Sequence, residues 1–292
     1  MTTSTAETTR ETHRRELAAR LDLPPTDLPD HARLVDDLAL DSLAMMSLLT
    51  WLESRGVQLA GVAGQPTTVG EVLSLLDKVR APNLTVRISN GVEPGADFGR
   101  LGVADRALRP EAPADPLAPV LASHAIRLDP VVPDDIGFLY ALASQPETSF
   151  RWRYRGAPPP FDRFVADLWQ QVLVQYVARS TEDDRPVGHV VAYCASPNTR
   201  HISVGAVFEP AYAGTGLAAH AVLLFVRYLF HTFQLHKLYL EVPGYNWPQL
   251  RSGENRLFRV EGVLRDHNYY AGRYWDEYVC AIYPDQLTEA DR

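Results

Sequence analysis

The sequence predicts two domains of different class, a small all-α bundle followed by an α/β (or α+β) domain. Three observations carry that reading. The first is length: 292 residues exceed the ~150 of an average domain and suggest two. The second is proline placement. Pro110, Pro113, Pro116 and Pro119 recur every third residue, the period of polyproline II, which makes this stretch a semi-rigid spacer of roughly 28 Å. The third is a change of pattern across the spacer, from helical stripes before it to strands mixed with helices after it. The expected boundaries are a bundle over 10–80, a linker over 81–123 that contains the spacer 110–119, and a second domain over 124–284.

In the first domain, residues 10–21 place Leu17 and Leu21 on one helical face. Residues 42–55 carry Met45, Leu48, Leu49 and Leu52 at i, i+3, i+4 and i+7, and stop at Gly56. Thr68 with Glu71 three residues later forms a capping box that opens a helix over 69–78. In the linker, Leu84, Val86 and Ile88 alternate before Asn90-Gly91, consistent with one short strand and a turn. In the second domain, strands are expected at 124–128, 171–179, 187–194, 201–208, 237–243, 262–267 and 275–282. Helices are expected at 133–144, 161–169, 217–233 and 247–257. The helix over 217–233 is apolar nearly all round (Ala221, Val222, Leu223, Leu224, Phe225, Val226) and should lie buried against a sheet.

Composition narrows the functional classes. Apolar residues are 46% and charged residues 22%, both near globular averages, which excludes disordered and fibrous chains. With 28 Lys and Arg against 36 Asp and Glu the net charge is −8; an acidic chain without a basic run argues against nucleic acid or an anionic membrane as partner. Cys194 and Cys280 are too few for a disulfide framework and wrongly spaced for zinc; both are expected buried in strands, and no metal site is expected. The longest greasy stretch, Leu217 to Val226, already contains His220 and falls short of the ~18 apolar residues of a membrane span. The first residues, MTTSTAETTRETHRR, have no apolar core that could serve as a secretory signal. A cytoplasmic location is expected.

Ser42 stands at the start of the second helix, in Leu38-Ala39-Leu40-Asp41-Ser42-Leu43. One reading is a helix cap, in which Asp41 or Ser42 satisfies orphan amides. The other is a modification site, where a phosphodiester on the serine would sit against the free N–H groups and the positive end of the helix dipole. The wider segment, Asp36-Asp37-Leu38-Ala39-Leu40-Asp41-Ser42-Leu43 followed by an amphipathic helix and by Thr68-Val69-Gly70-Glu71-Val72, resembles an acyl carrier or peptidyl carrier protein domain over about residues 10–80. The resemblance implies that Ser42 carries covalent 4′-phosphopantetheine, installed by a phosphopantetheinyl transferase. It also implies an acyl-activating or acyl-loading enzyme as partner. Ala39 replaces the glycine usual in that family. Asp22, Asp27, Asp30, Asp36, Asp37 and Asp41 against Arg33 form an acidic surface that suits basic partner enzymes.

The second domain holds a glycine loop between a strand and a helix, Glu209-Pro210-Ala211-Tyr212-Ala213-Gly214-Thr215-Gly216-Leu217-Ala218. Such a turn exposes backbone N–H groups that can cradle a pyrophosphate, and it is also the shape of an ordinary β–α connection that needs positive φ. It lacks the third glycine of a dinucleotide fingerprint and the ending of a P-loop. With Gly205 to Phe208, Leu238-Tyr239-Leu240-Glu241-Val242, Asn246, Leu257-Phe258 and Glu261-Gly262-Val263-Leu264-Arg265-Asp266 in order, the segment 124–284 resembles the GNAT acyltransferases, particularly the ribosomal-protein N-acetyltransferase branch. The resemblance implies a GNAT fold with a central mixed sheet. It puts the family's R/Q-x-x-G-x-G/A loop on Ala213, Gly214, Thr215, Gly216, Leu217 and Ala218. The first basic or amide residue of that loop is absent here.

The same resemblance assigns chemistry. Backbone N–H groups near Val207 and Phe208 stabilise the developing oxyanion, Asn246 hydrogen-bonds the pantetheine, and Glu241 is the base of some relatives. A glutamate in an apolar strand is costly unless paired, so desolvation should raise its pKa, or Lys237 or an arginine should pair with it. His189 and His201 are further candidates, although a single strand histidine is ordinarily structural. The tyrosine acid of relatives aligns with Gly253, which leaves Tyr245, Tyr269, Tyr270 or water. Helices 133–144 and 161–169, with Trp152, Trp169 and prolines 158–160, are expected to line the pocket. The expected activity is an acyltransferase of specialised metabolism that moves an acyl group from phosphopantetheine on Ser42 to a small-molecule amine, with coenzyme A or acyl-coenzyme A as a further ligand. Two alternatives stand beside it: the second domain loads the carrier from acyl-coenzyme A, or it is a non-catalytic module that docks and delivers the acylated carrier.

Overall fold

A computed structural model describes residues 3–57, 59, 65–79, 117–123 and 125–290. The strand and turn expected over 84–91 and residues 110–116 of the spacer lie outside the described residues. The N-terminal bundle consists of α1 (Thr3–Leu21), α2 (Ser42–Ser54) and α3 (Val69–Lys78). Its core is apolar and sealed: Leu17, Leu48, Leu52, Val72 and Leu73 have no exposed surface. The capping box forms as expected, with Thr68 Oγ1 accepting from Glu71 N–H while Glu71 Oε2 accepts from Thr68 N–H. Gly56, at φ +87°, terminates α2 as only glycine does without strain.

The second domain is one seven-stranded mixed sheet with helices on both faces. Its strands are β1 (Ile126–Pro130), β2 (Val172–Ser180), β3 (Pro186–Ser196), β4 (His201–Phe208), β5 (Lys237–Pro243), β6 (Arg259–Tyr270) and β7 (Arg273–Ile282). The spatial order is β1-β2-β3-β4-β5-β7-β6. Helices α4 (Ile136–Ser144), α5 (Pro146–Ser149) and α6 (Phe161–Asp167) precede β2, α7 (Leu217–Thr232) joins β4 to β5, and α8 (Pro284–Ala290) follows β7. The α7 helix buries Ala221, Leu224, Phe225 and Leu229 in the core on one sheet face. On the other face, Leu139, Leu142 and Phe164 from α4 and α6 pack with Val177, Val191 and Val207.

The β4–β5 junction positions the site. It is the parallel pair of the sheet, and its register runs only from His201↔Lys237 to Ser203↔Tyr239. Beyond Ser203 the strands part, so the backbone of β4 from Val204 to Phe208 has no partner on the β5 side and a cleft opens between them.

All seven expected strands are present within a few residues, but two expectations fail. Residues 247–257 are not a helix; they form two single 3₁₀ turns, Trp247–Gln249 and Arg251–Gly253. Pro248 sets the first turn, Leu250 leaves helical geometry at φ −127° and ψ −12°, and the Ser252 N–H donates to Asp41 of the bundle rather than to a carbonyl four residues back. Cys280 is buried as expected, but Cys194 is exposed. It sits at φ +52° where the β3–β4 register shifts, and its thiol donates to Gln171 Oε1 at 3.1 Å. Among the described residues no helix is long and apolar enough to cross a membrane.

Candidate functional site

The two domains meet at the N-terminus of α2. Asp41 is the N-cap: its Oδ1 accepts from Leu43 N–H at 3.1 Å and from Ala44 N–H at 2.9 Å. The capping role therefore falls to Asp41 and leaves the Ser42 hydroxyl without a hydrogen bond among the described residues. The same carboxylate bridges the domains, because Oδ2 accepts from Ser252 N–H at 2.9 Å and Oδ1 accepts from Ser252 Oγ. The apolar side chains of α2 divide accordingly. Met45, Leu48, Leu49 and Leu52 fill the bundle, whereas Leu43 and Met46 are buried in the core of the second domain beside Leu217 and Phe258.

Two glycines make this approach feasible. A Cβ on Gly216, whose φ is +81°, would stand 2.6 Å from the Met46 backbone nitrogen, and one on Gly253 would stand 2.3 Å from Leu43 Cδ1. Gly253, which the family resemblance aligns with an acid position, is covered here by Leu43 of the docked bundle.

Ser42 opens into a cavity of about 760 Å³ that reaches the β4–β5 cleft. Of the residues expected to hold the donor, Val207, Phe208, Ala213, Ala218 and Asn246 line it. Gly214, Gly216 and Leu217 do not. A Cβ on Gly214 would face open space, α2 covers Gly216, and Leu217 is core. One amide at the start of α7 is already used, since Leu217 N–H donates to Thr215 Oγ1. The Asn246 carbonyl oxygen accepts from Arg151 Nη1, which leaves its amide nitrogen for a ligand. A free, half-buried serine hydroxyl at a helix N-terminus, facing a cavity long enough to reach the sheet, fits a phosphopantetheine arm.

At the far end, Glu241 departs from expectation. Its side chain is exposed rather than buried, and it has no hydrogen bond or ion pair among the described residues. Lys237 does not pair with it. The Lys237 ammonium binds Glu261 at 2.7 Å; burial works to lower its pKa, and the hydrogen bond to Glu261 reverses that and raises it. Glu241 faces both the main cavity and a smaller one of about 460 Å³ that also holds Cys194, His201 and Tyr239.

The tyrosines proposed from sequence do not reach this end freely. The Tyr245 hydroxyl donates to the Phe150 carbonyl at 2.9 Å, Tyr270 stacks on Phe150 at 4.3 Å, and Tyr269 is 66% exposed against Tyr274. Tyr193 is the residue that sequence reasoning missed. Its ring and that of Trp152 cover Gly205 of β4, within 3.5 Å of where a Cβ would stand. Burial pushes the Tyr193 phenol up and the charge of Glu241 adds to that, so it stays protonated. No motif marks it; its role is legible only once β3 is laid beside β4.

His189 is structural. It is buried against Gln175 (Nε2 to Oε1, 2.9 Å) and Trp152, and burial pushes its pKa down to about 3. His201 hydrogen-bonds Thr199 and stands edge-on to Tyr239 at the smaller cavity. Trp152 lines the main cavity as expected; Trp169, 55% exposed, and prolines 158–160 do not.

Comparison with known proteins agrees with both halves. Residues 125–251 match the model of the acetyltransferase (GNAT) domain, and residues 14–75 match that of the phosphopantetheine attachment site. An uncharacterized N-acetyltransferase, YnaD, from Bacillus subtilis (strain 168) is 28% identical over 105 residues, 36% of this chain and 61% of that protein. A probable N-acetyltransferase, YjcK, from the same organism is 30% identical over 104 residues, 35% of this chain and 58% of that protein. The chain thus spans about three fifths of the length of these curated relatives. In fold, the second domain is similar to the spermidine N-acetyltransferase from Vibrio cholerae solved with CoA and spermine. The TM-score is 0.50 at 20% identity, covering 56% of this chain and 98% of that one. The two matches, a phosphopantetheine attachment site over residues 14–75 and a GNAT acetyltransferase domain over residues 125–251, are the pair expected of a carrier–GNAT fusion.

Proposed function

We propose that the chain is an acyltransferase of specialised metabolism that moves an acyl group from its own carrier, at Ser42, to a small-molecule amine. One observation carries this reading: Ser42 of the docked carrier lines the same cavity as Glu241, Tyr193 and the part of β4 that has no partner on the β5 side. Bound there, phosphopantetheine supplies a thiol on which the acyl group rides as a thioester. Glu241 takes the proton that the attacking amine sheds as its C–N bond forms. Backbone N–H groups near Val207 and Phe208 receive the charge that builds on the carbonyl oxygen. Tyr193, held protonated, would supply the proton that a departing thiolate needs, and the proton taken up by Glu241 would restore the phenol.

The docking also favours the carrier over free coenzyme A as donor. A coenzyme's pyrophosphate would lie over the loop at Gly216, where the backbone of α2 now sits. The reverse reading, loading from acyl-coenzyme A, requires the carrier to leave that loop first. The binding-module reading leaves the free Glu241 carboxylate without a purpose.

The test is intact mass. The chain, incubated with coenzyme A and a permissive phosphopantetheinyl transferase, should gain one phosphopantetheine that Ser42→Ala abolishes. Loaded instead from acetyl-coenzyme A, it should lose the acetyl mass when amines are added, and Glu241→Gln should slow that loss about 10²–10⁴-fold. Unchanged loss in Glu241→Gln would remove the assigned base.

A further inference from the structure

We infer that the acceptor is an amine that also carries a carboxylate, recognised by Arg153 and Arg155; this rests on the transferase reading above. The segment Arg151-Trp152-Arg153-Tyr154-Arg155 follows α5. Trp152 is buried in the core under α4 and α6, and Tyr154 packs against Phe164. These aromatics anchor the segment, and all three arginines between and beside them line the main cavity.

Their donors are largely unspent. A guanidinium has five N–H groups. Arg151 stacks 4.6 Å over Phe150 and gives one to the neutral carbonyl of Asn246. Arg155 gives one N–H to the Arg151 carbonyl at 3.5 Å and reaches Glu277 at 3.5 Å, but that buried carboxylate also takes a hydrogen bond from Asn268 at 2.7 Å and has His267 at 3.4 Å. Arg153 lies over the Tyr154 ring at 5.6 Å and has no hydrogen bond or ion pair among the described residues. The carboxylates in the cavity wall do not offset them. Three carboxylates line it: Glu209 is held by Arg185 at 3.3 Å, Glu241 is the proposed base, and Glu147 of α5 forms no ion pair with the three arginines among the described residues.

Arg153, Arg155, Tyr193 and Glu241 line the same cavity. Tyr193 feels the charges of both guanidiniums together with that of Glu241. An acceptor with its amine at Glu241 and a carboxylate at the arginines would satisfy both signs at once. A planar guanidinium binds carboxylate in two parallel hydrogen bonds, which fixes orientation as well as affinity.

The experiment uses the full-length chain acetylated through phosphopantetheine on Ser42. It is mixed with amino acids, each beside its α-amide and its decarboxylated amine, and loss of the acetyl mass is timed. The carboxylated member of a pair should discharge about tenfold or more faster, the range of a charge-assisted hydrogen bond. Arg153→Gln should lower that ratio by a similar factor, with Arg155→Gln as the second variant. Calorimetric binding of the same pairs to the unacylated chain reads recognition without turnover and should show the same preference. Equal rates within pairs, or a ratio untouched in both variants, would overturn the acceptor proposal and leave the transferase reading standing. Failure of every amine to discharge the acetyl group would overturn the transferase reading, and this proposal with it.

Discussion

Gly216→Ala should undock the carrier. The added Cβ would lie 2.6 Å from the Met46 nitrogen and 2.9 Å from the Met45 carbonyl carbon. Ordinary contact needs about 3.5 Å, so α2 must retreat by about 1 Å. The obstacle is helix backbone, which cannot swing aside as the end of a side chain can. The retreat lifts Leu43 and Met46 from the second domain's core and stretches both hydrogen bonds between Asp41 and Ser252. Burial of two such side chains is worth about 3–6 kcal/mol as an upper range. A left-handed φ for alanine adds roughly 1–2 kcal/mol of local strain. Loss of about 3 kcal/mol lowers the docked-to-undocked ratio by about two orders of magnitude. The first-order loss of acetyl from the loaded chain should therefore fall at least tenfold. Amide hydrogen exchange across residues 42–46 should rise in the same variant. A wild-type transfer rate with unchanged protection of α2 would refute the docking argument.

Two further outcomes follow from the site and its support. Tyr193→Phe should lower the rate of acetyl transfer about 10²–10⁴-fold, read as single-turnover kinetics, with apparent acceptor affinity little changed because the ring and its packing over Gly205 remain. His189 is held neutral, its pKa depressed to about 3 from an ordinary value near 6.5. The unfolded chain binds a proton that the folded chain refuses, so stability is full above about pH 6.5 and falls as pH drops toward 3. His189→Gln should flatten that dependence in denaturant titrations followed at several pH values.

Much of the architecture was legible because local signals agreed with the fold. Asp41 and Gly56 bracket α2, the Thr68–Glu71 box opens α3, and the apolar run from Leu217 reads as the buried helix it is. The segment 247–257 misled because its apolar residues have helical spacing while Pro248 and Gly253 break it and Ser252 spends its amide on another domain. The docking itself was not legible. Leu43 and Met46 look like further members of an apolar helix, and nothing local says that they face a different core from Leu48 and Leu52. Ser42 was legible as a motif and Glu241 as a position, but the environment of Glu241 was not, since Lys237 finds Glu261 only across the sheet. Tyr193 and the three arginines converge through β3, β4 and the turn after α5, a juxtaposition that only tertiary structure creates.

The bridge between Asp41 and Ser252 sets a tempo. A phosphopantetheinyl transferase must reach the Asp41–Ser42 surface to attach the prosthetic group, and under the proposed function a loading enzyme must return to it, yet that surface is spent on Ser252 and the cavity while the carrier is docked. Under that proposal each cycle needs one departure and one return. If the clasp is too weak, the loaded carrier wanders; if too firm, the emptied carrier cannot leave to be recharged. Throughput must peak at an intermediate grip, and two hydrogen bonds with two apolar side chains make a contact small enough to be released and remade.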